Sequence, residues 1–120
     1  MNVVNLEAGF DSIEEYWSPK IAAELNGQHV KLARLKGEFE WHHHADADEL
    51  FLVVEGRLVI ELREEDDLRL EAGELVAIPA GVEHRPVADE EVQVLLFEPA
   101  GTENTGNVEE SELSNEAAWL

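Results

Sequence analysis

Short apolar runs, each ended by turn residues, follow one another from residue 20 to residue 97 and constrain the fold more than any other feature. Asn26-Gly27 separates two extended segments, at 21–25 and 28–36, and such a dipeptide is the strongest short-range signal of a β-hairpin. Short strands at this close spacing favour an all-β sandwich or barrel. Further strands are predicted at 38–44, 49–54, 57–62, 68–71, 75–78 and 92–97.

One helix is predicted, before the strands begin. Asp11 is followed three residues later by Glu14, which resembles a capping box, and Pro19 disfavours helix just before it. We therefore expect a short helix over 12–17. The chain divides into an N-terminal extension (1–19), a barrel domain (20–100) and an acidic C-terminal tail (101–120). The tail ends in the apolar sequence AAWL, which we expect to dock on the barrel or on a neighbouring chain.

Length and composition limit the class of protein. A chain of 120 residues that is 44% hydrophobic can form one compact domain. Because it has no cysteine, a metal site must use imidazole and carboxylate ligands rather than thiolates. The sequence has neither a secretory signal nor an apolar run of membrane-spanning length, so we expect a cytoplasmic protein without membrane partners.

The charge balance is strongly acidic, with 28 acidic and 8 basic residues and a formal net charge of −20. Such a protein is repelled by nucleic-acid backbones and by anionic lipid, so neither is an expected partner. The acidic residues are spread along the chain rather than confined to the tail. We interpret this as a surface adapted to concentrated salt, as in a halophilic source; an ordinary acidic protein is the alternative.

Three consecutive histidines form the most informative cluster. Alternate strand residues point to one face, so His42 and His44 can converge while His43 faces away. The four residues that follow can reverse the chain and bring the carboxylate of Glu49 to the same point. His84, in GELVAIPAGVEHRPV, is the candidate for a fourth ligand.

These two segments resemble the two conserved motifs of the cupin superfamily, G-x5-H-x-H-x(3,4)-E-x6-G and G-x5-P-x-G-x2-H-x3-N. WSPK near the start and NTG near the end also look like a group of small single-domain cupins often labelled mannose-6-phosphate isomerase-like. The first motif is matched, with one residue fewer after its first glycine, by Gly37, His42, His44, Glu49 and Gly56. The second is matched by Gly73, Pro79, Gly81 and His84, with Ala88 in place of the asparagine.

The resemblance implies a conical β-barrel of the cupin jelly-roll type, with one divalent metal held by His42, His44, Glu49 and His84. Three imidazoles and one carboxylate suit Mn, Fe, Co, Ni, Cu or Zn. A divalent ion with one carboxylate leaves a local charge of about +1, which favours a small anionic metabolite as substrate.

Two classes of function are compatible with this site. The first is a metal-dependent enzyme of the isomerase, epimerase or dioxygenase type. The alternative is a non-catalytic cupin that binds metal or a small ligand for storage, sensing or structural support. Because comparable cupins commonly pair, we also expect a homodimer.

Glu40 is the candidate catalytic residue, because strict alternation from His42 places its carboxylate on the ligand face. It could orient an imidazole or act as a base. The same alternation places the charged residues 34, 36 and 38 on that face, which is too much charge for a closed lumen. Either the pocket is unusually polar, or Gly37 marks a bulge that changes the register.

The other aromatic, histidine and cationic residues near these motifs are expected to have structural roles. Phe39 and Trp41 fall opposite the ligands, where we expect packing under a neighbouring sheet or at a dimer interface. His29 is interpreted as an ordinary strand histidine. The strand over 30–36 contains three cations but no clear phosphate cradle, so a sugar-phosphate substrate has little support. These cations are Lys31, Arg34 and Lys36.

The salt adaptation can be tested by thermal unfolding. Because molar KCl shortens the Debye length to about 3 Å, it should relieve the repulsion among the acidic residues and raise the midpoint temperature. Midpoints measured from low to molar KCl check this. A midpoint indifferent to salt would contradict the interpretation.

Overall fold

The computed structural model describes residues 1–103, Gly106 and residues 117–120. Asn104 and Thr105 of the NTG sequence, and residues 107–116 of the tail, lie outside this part of the chain. The described residues form one helix, which is too short to span a membrane, and eight strands of one sheet. The elements are α1 (Leu6–Asp11), β1 (Lys20–Leu25), β2 (Gln28–Glu38), β3 (Glu49–Glu55), β4 (Arg57–Leu62), β5 (Leu68–Glu71), β6 (Leu75–Ile78), β7 (His84–Pro99) and β8 (Ala118–Trp119).

Most of the predicted strands are present, and the all-β class with a short N-terminal helix is confirmed. The β1–β2 hairpin turns at Asn26 and Gly27, whose φ angles of 50° and 76° are those that a two-residue hairpin turn requires. The predicted strand at 38–44 is wrong. Since the chain leaves β2 after a glycine with φ 87° at position 37, residues 39–48 contain only one isolated bridge, at His42.

Strand β7 organises the sheet because it pairs antiparallel with three other strands. Its first residues pair with β4, which places His84 opposite Leu62. Its second half lies between β2 and β3, so that Leu96 is opposite both Lys31 and Phe51. The prediction at 92–97 found only this second half. These pairings bring the start of β7 and the start of β3 toward the same lumen.

The predicted helix over 12–17 is wrong, since the helix lies six residues earlier in the chain, at Leu6–Asp11. Asn5 caps it by accepting a hydrogen bond from the backbone N–H of Ala8 at 2.9 Å. The helix ends at Asp11, with Ser12 as its C-cap, and the following residues run without regular structure to Trp17. The real N-cap is therefore an asparagine upstream of the Asp11-to-Glu14 pattern.

The buried residues form two clusters on opposite faces of the sheet. The larger cluster fills the lumen and includes Ala33 and Leu35 of β2. The smaller one lies outside, where Phe10 and Ile13 pack against Leu32. The consecutive apolar residues of these strands are thus covered on both faces, on the outer face in part by the chain's own N-terminal extension.

The apolar C-terminal end docks on the sheet. Ala118 and Trp119 pair in parallel with Lys20 and Ile21 at the outer edge of β1. Leu120 adds a backbone hydrogen bond to the carbonyl of Ile21 at 3.0 Å. The sequence analysis expected this end to dock on the barrel or on a neighbouring chain, and in the structure it pairs with the barrel of its own chain.

Replacing Phe10 by alanine should unfold the protein more readily, because its side chain is fully buried against the outer face. Loss of a buried phenylalanine costs about 3–5 kcal/mol in the free energy of unfolding. Urea denaturation measures this. Leu6→Ala, at an exposed position of the same helix, is the matched control and should change stability little. Equal stability of the two variants would contradict the packing role of the helix.

Candidate metal centre

Backbone pairing brings the two histidine-bearing segments together. His42 and His84 form an antiparallel bridge, in which the N–H of His42 donates to the carbonyl of His84 at 3.0 Å. The N–H of His84 donates back at 2.8 Å. The N–H of Gly81 donates to the carbonyl of His44 at 2.9 Å, which extends this contact by one further bond. Glu49 joins them because it is the first residue of β3.

The four predicted side chains converge in the lumen. Ligand atoms of His42, His44, Glu49 and His84 all lie within 4.8 Å of one another, and all four residues are buried. Oε1 of Glu49 is 3.4 Å from Nε2 of His44 and 3.5 Å from Nε2 of His84. Ligands about 2.1 Å from one metal ion lie roughly 3.0–3.5 Å apart, so these separations suit coordination. The four residues form a possible site for one divalent metal.

The imidazoles are oriented by backbone carbonyls. Nδ1 of His42 donates to the carbonyl of Glu40, and Nδ1 of His84 donates to that of Val82, both at 2.9 Å. These bonds place the proton on Nδ1, which leaves Nε2 as the lone-pair donor in each ring. The sequence suggested that the carboxylate of Glu40 orients an imidazole, and that role stays a prediction; the bond to His42 comes from the backbone carbonyl of Glu40.

Unpartnered polar atoms supply an independent test of the site. Among the described residues, no hydrogen-bond partner reaches Nε2 of His44, Nε2 of His84 or Oε1 of Glu49, although all three atoms are buried. Leaving one such atom unsatisfied costs about 1–3 kcal/mol. Because all three atoms face the same point, a single cation can satisfy them together, and the residues present fit a divalent transition metal.

The electrostatics favour the protonation states that coordination needs. Burial, assisted by the neighbouring His84, lowers the pKa of His42 to about 4, so its imidazole is neutral near pH 7. Burial would raise the pKa of Glu49, but the neighbouring rings of His44 and His84 outweigh this and hold that pKa below its usual range. A neutral imidazole and an ionised carboxylate are the forms that bind metal.

Gly106 lies against the backbone of His43 and the ring of His44. A Cβ atom at Gly106 would lie 2.2 Å from the carbonyl oxygen of His43 and 3.1 Å from Nδ1 of His44. Real Cβ atoms do not approach a carbonyl oxygen so closely, so this close approach requires glycine. In the sequence, Gly106 was noted only as part of NTG.

A buried lysine–glutamate pair lies beside the cluster, and the sequence analysis missed it. Nζ of Lys31 donates to Oε1 of Glu98 at 2.8 Å and to the carbonyl of Thr102 at 2.9 Å. Burial and the nearby Glu49 carboxylate raise the pKa of Glu98 well above its usual range. Two charged residues could have indicated this pair in the sequence, because each lies on the lumen face of an otherwise apolar strand: Lys31 in β2 and Glu98 in β7.

A small cavity of about 30 Å³ adjoins His42 and Glu49. Its wall includes Trp17 and Phe39, whose rings stack with centroids 4.7 Å apart. The indole N–H of Trp17 donates to the carbonyl of Lys36 at 2.8 Å, which holds the N-terminal extension over the lumen. The remaining lining residues are Pro19, Leu35, Phe51, Pro86 and Leu96.

The register changes at Gly37, which is the bulge that the sequence left as an alternative. Strict alternation from His42 is wrong for the residues before it for a second reason. Glu38 lies opposite Val87 and His42 lies opposite His84, so this segment has one residue more than its partner. Phe39 faces the lumen, with its ring centroid 5.3 Å from that of His42, and does not pack on the opposite face as expected. In β2, Leu35 rather than Arg34 faces the main core.

Trp41 lies outside the lumen, but arginines rather than a neighbouring sheet cover it. The guanidinium of Arg63 lies 3.9 Å from its ring centroid, and that of Arg85 lies 5.5 Å away. Arg63 and Arg85 also pair with Glu83 and Glu61, respectively. These charged residues form a rim around the indole.

The other histidines lie outside the cluster. His43 is half-buried and is not among the four converging residues, which agrees with the opposite orientation expected for it. His29 lies in β2 with Nε2 3.7 Å from Oε1 of Glu24 and its ring 6.0 Å from that of Trp119. Both are therefore separate from the candidate metal centre.

Three imidazoles and one carboxylate that converge inside a small all-β lumen define a class of barrel proteins with a single metal site. Residues 28–98 match the family described as Cupin domain, which is more than half of the chain. The chain therefore belongs to the cupin family. The mannose-6-phosphate isomerase-like group stays a prediction.

Individual relatives agree with this assignment. A crystal structure of a cupin-2 domain containing protein from Shewanella frigidimarina NCIMB 400 is 45% identical, with a TM-score of 0.78 over 81% of this chain and 94% of that one. Protein YdbB of Bacillus subtilis (strain 168) is 40% identical over 68% of this chain and 72% of its own length. An acireductone dioxygenase of Sulfurihydrogenibium sp. (strain YO3AOP1) is 37% identical over 67% of this chain, which spans about half (46%) of that enzyme.

Replacing His84 by alanine should abolish stable metal binding, because it removes one of four converging donors. We expect affinity to fall by more than about 100-fold, the upper end of losses caused by residues that merely support a ligand. Metal content by mass spectrometry, on untagged protein purified without a nickel column, measures this. His43→Ala is the matched control and should retain about one equivalent. Full metal content in the His84 variant would contradict the four-ligand site.

Proposed function

We propose that this cupin binds one divalent transition metal through His42, His44, Glu49 and His84 and is a metal-dependent enzyme of the dioxygenase type. Its substrate would be a small anionic metabolite that coordinates the metal through oxygen and places an apolar portion in the adjoining cavity. A bound transition metal would supply Lewis acidity and, when redox-active, electron transfer to dioxygen.

The observation that carries this proposal is the lining of the cavity. Apart from the candidate ligands His42 and Glu49, the described residues that line it are apolar or aromatic. None of these lining residues is cationic, so the cavity offers no clamp for a phosphate group. The anionic end of a substrate must then be neutralised at the metal, where the local charge is about +1.

The same lining favours a reaction with dioxygen over an isomerisation. Isomerases and epimerases move a proton with a base that faces the substrate. Glu40, the predicted base, is not among the residues that line the cavity. A cavity of about 30 Å³ holds about two water-sized molecules, and an apolar space of that size suits dioxygen or a small apolar group. The similarity to an acireductone dioxygenase supports the same choice and makes acireductone the first substrate to test.

Non-catalytic binding is the second candidate function. The small volume of the cavity and the deep burial of all four donors favour a site that holds a metal without admitting a large substrate. Chelating acids distinguish the two functions in cobalt-loaded protein. A closed site would leave the visible spectrum of the cobalt unchanged, whereas an open site would change it.

Oxygen uptake tests the enzyme proposal. Iron-loaded protein is mixed with acireductone, small 2-hydroxy acids and dihydroxybenzenes, and dioxygen consumption is recorded with an electrode. We expect one of these classes to drive uptake that is absent from His84→Ala. If none does, and chelating acids also leave the cobalt spectrum unchanged, the binding function replaces the enzymatic one.

A cavity-filling variant should separate substrate binding from metal binding. Leu35→Phe adds volume to the wall of the cavity from a residue that is not a candidate ligand. We expect metal content to stay near one equivalent while turnover of the substrate found above falls by about tenfold or more, equivalent to roughly 1.4 kcal/mol of the barrier. Leu62→Phe, at a partly buried position that does not line the cavity, is the control. Equal turnover in both variants would place the substrate elsewhere.

We also propose that the protein is a homodimer. The exposed apolar side chains of Leu25, Trp119 and Leu120 lie at or beside the β1–β8 edge of the sheet and support this assembly. Light scattering gives the mass in solution. A monomeric mass at micromolar concentration would contradict the dimer.

A further inference from the structure

The cavity beside the candidate metal centre is enclosed. Every described residue that lines it is buried, and so are the four candidate ligands. Its volume of about 30 Å³ is small beside the ~300–1,000 Å³ of typical ligand sites. A chelating acid can therefore reach the donors only if part of the wall moves.

The wall of the barrel has a gap beside this cavity. β1 pairs with β2 only as far as Leu32, so the same edge of β2 has no strand partner beyond that residue among the described residues. Trp17 covers this edge. Its backbone N–H donates to the carbonyl of Arg34 at 3.0 Å, and its indole N–H donates to that of Lys36 at 2.8 Å. Leu35, between the two acceptors, lines the cavity, so the indole takes the place of a missing strand.

The backbone of Trp17 is held in an unusual conformation. Its φ angle is 61°, in the left-handed region that bulky residues rarely adopt. The turn carries the chain from the outer face, where Ile13 packs, to the lumen, where the indole stacks on Phe39. Strain of this kind costs folding free energy and is concentrated at functional sites. The conformation therefore indicates that the position of the indole matters to function.

Trp17 is also the part of the wall that can move with least disruption. Four apolar wall residues lie in β2, β3 or β7, and the pairing of these strands would break if they shifted. They are Leu35, Phe51, Pro86 and Leu96. Trp17 precedes β1 and belongs to no strand. Side-chain and loop motions take nanoseconds to microseconds and are generally faster than local unfolding of a sheet.

We propose that Trp17 is a specificity-determining residue, whose indole closes the gap beside β2 and limits the size of the ligands that reach the metal centre. Compact acids enter by a small displacement of the ring, whereas an acid with an aromatic substituent needs the space that the ring occupies. This inference rests on the metal site and the substrate class proposed above, although not on dioxygenase chemistry. It narrows that class to compact acids.

Two 2-hydroxy acids test this size limit on cobalt-loaded protein. Glycolate and mandelate share a chelating group, and mandelate carries a phenyl ring in addition. The visible spectrum of bound cobalt reports the binding of each acid. We expect the wild type to bind glycolate at least about tenfold more tightly than mandelate, because the indole leaves no room for the phenyl ring.

Two variants remove the indole. Trp17→Gly tolerates the left-handed conformation, and Trp17→Leu keeps part of the apolar packing on Phe39. In both, we expect the affinity for mandelate to rise by about tenfold or more and the affinity for glycolate to change little. Val92→Ala is the matched control, since it alters a fully buried residue of the same core that does not line the cavity. It should leave both affinities unchanged.

The rate of cobalt exchange supplies a second readout. A closed entrance slows the entry and the exit of the ion by the same factor, so its removal leaves the equilibrium affinity for Co²⁺ unchanged. Transfer of Co²⁺ to a chelating indicator dye should therefore be about tenfold faster from Trp17→Gly than from the wild type. A merely structural defect would instead weaken the affinity for Co²⁺.

The outcomes separate this proposal from the proposed function. A wild type that binds mandelate as tightly as glycolate, or variants without the indole that gain no affinity for mandelate, would overturn the specificity role and leave the metal site intact. Tighter mandelate binding in Val92→Ala would overturn it too, because general loosening of the core would then explain the effect. Loss of Co²⁺ affinity in both Trp17 variants would make the indole structural and overturn it as well. A wild type that binds no Co²⁺ would overturn the metal site and this inference together.

Discussion

The paired backbone hydrogen bonds between His42 and His84 are the constraint on which the candidate site depends. They connect two segments far apart in sequence, one that leaves β2 and one that begins β7. Residues that exchange both hydrogen bonds in an antiparallel bridge have side chains on the same face of the sheet. The two imidazoles therefore meet, with ring centroids 4.4 Å apart. Pairing of β3 with β7 then sets the position from which Glu49 reaches them.

The lumen combines two environments that are usually kept apart. Most of its side chains are apolar, yet three histidines, two glutamates and a lysine are buried among them. Burial alone disfavours every charge in this group, and the pKa of His42 falls while that of Glu98 rises for that reason. Glu49 departs from this pattern, because its neighbours favour its ionised form. One retained negative charge facing three imidazole nitrogens is the electrostatic condition for binding a divalent cation.

Elements that depend only on local turn and strand signals could be predicted from the sequence. The Asn26-Gly27 hairpin and the strands β4, β5 and β6 were predicted correctly, since turn residues bound each of them. The four converging residues were predicted from spacing and from the resemblance to cupins. The helix was misplaced because two capping signals compete, and Asn5 rather than Asp11 provides the cap. Lys31 and Glu98 were missed because only the pairing of β2 with β7 brings them together.

The segment between Glu38 and His42 shows how one irregularity in strand pairing shapes the lumen. Glu38 lies opposite Val87 and His42 opposite His84, so this segment has one residue more than its partner and the alternation of faces is broken. As a result the lumen receives Phe39, which stacks on Trp17 from the N-terminal extension and forms an apolar wall beside His42. Under the proposed function, a substrate in such a cavity would gain free energy from burying apolar surface and would find its electrostatic partner at a bound metal. This division of roles favours reactions in which a metal, rather than a protein base, activates the reactants, and it is the physical reason for preferring the dioxygenase reading.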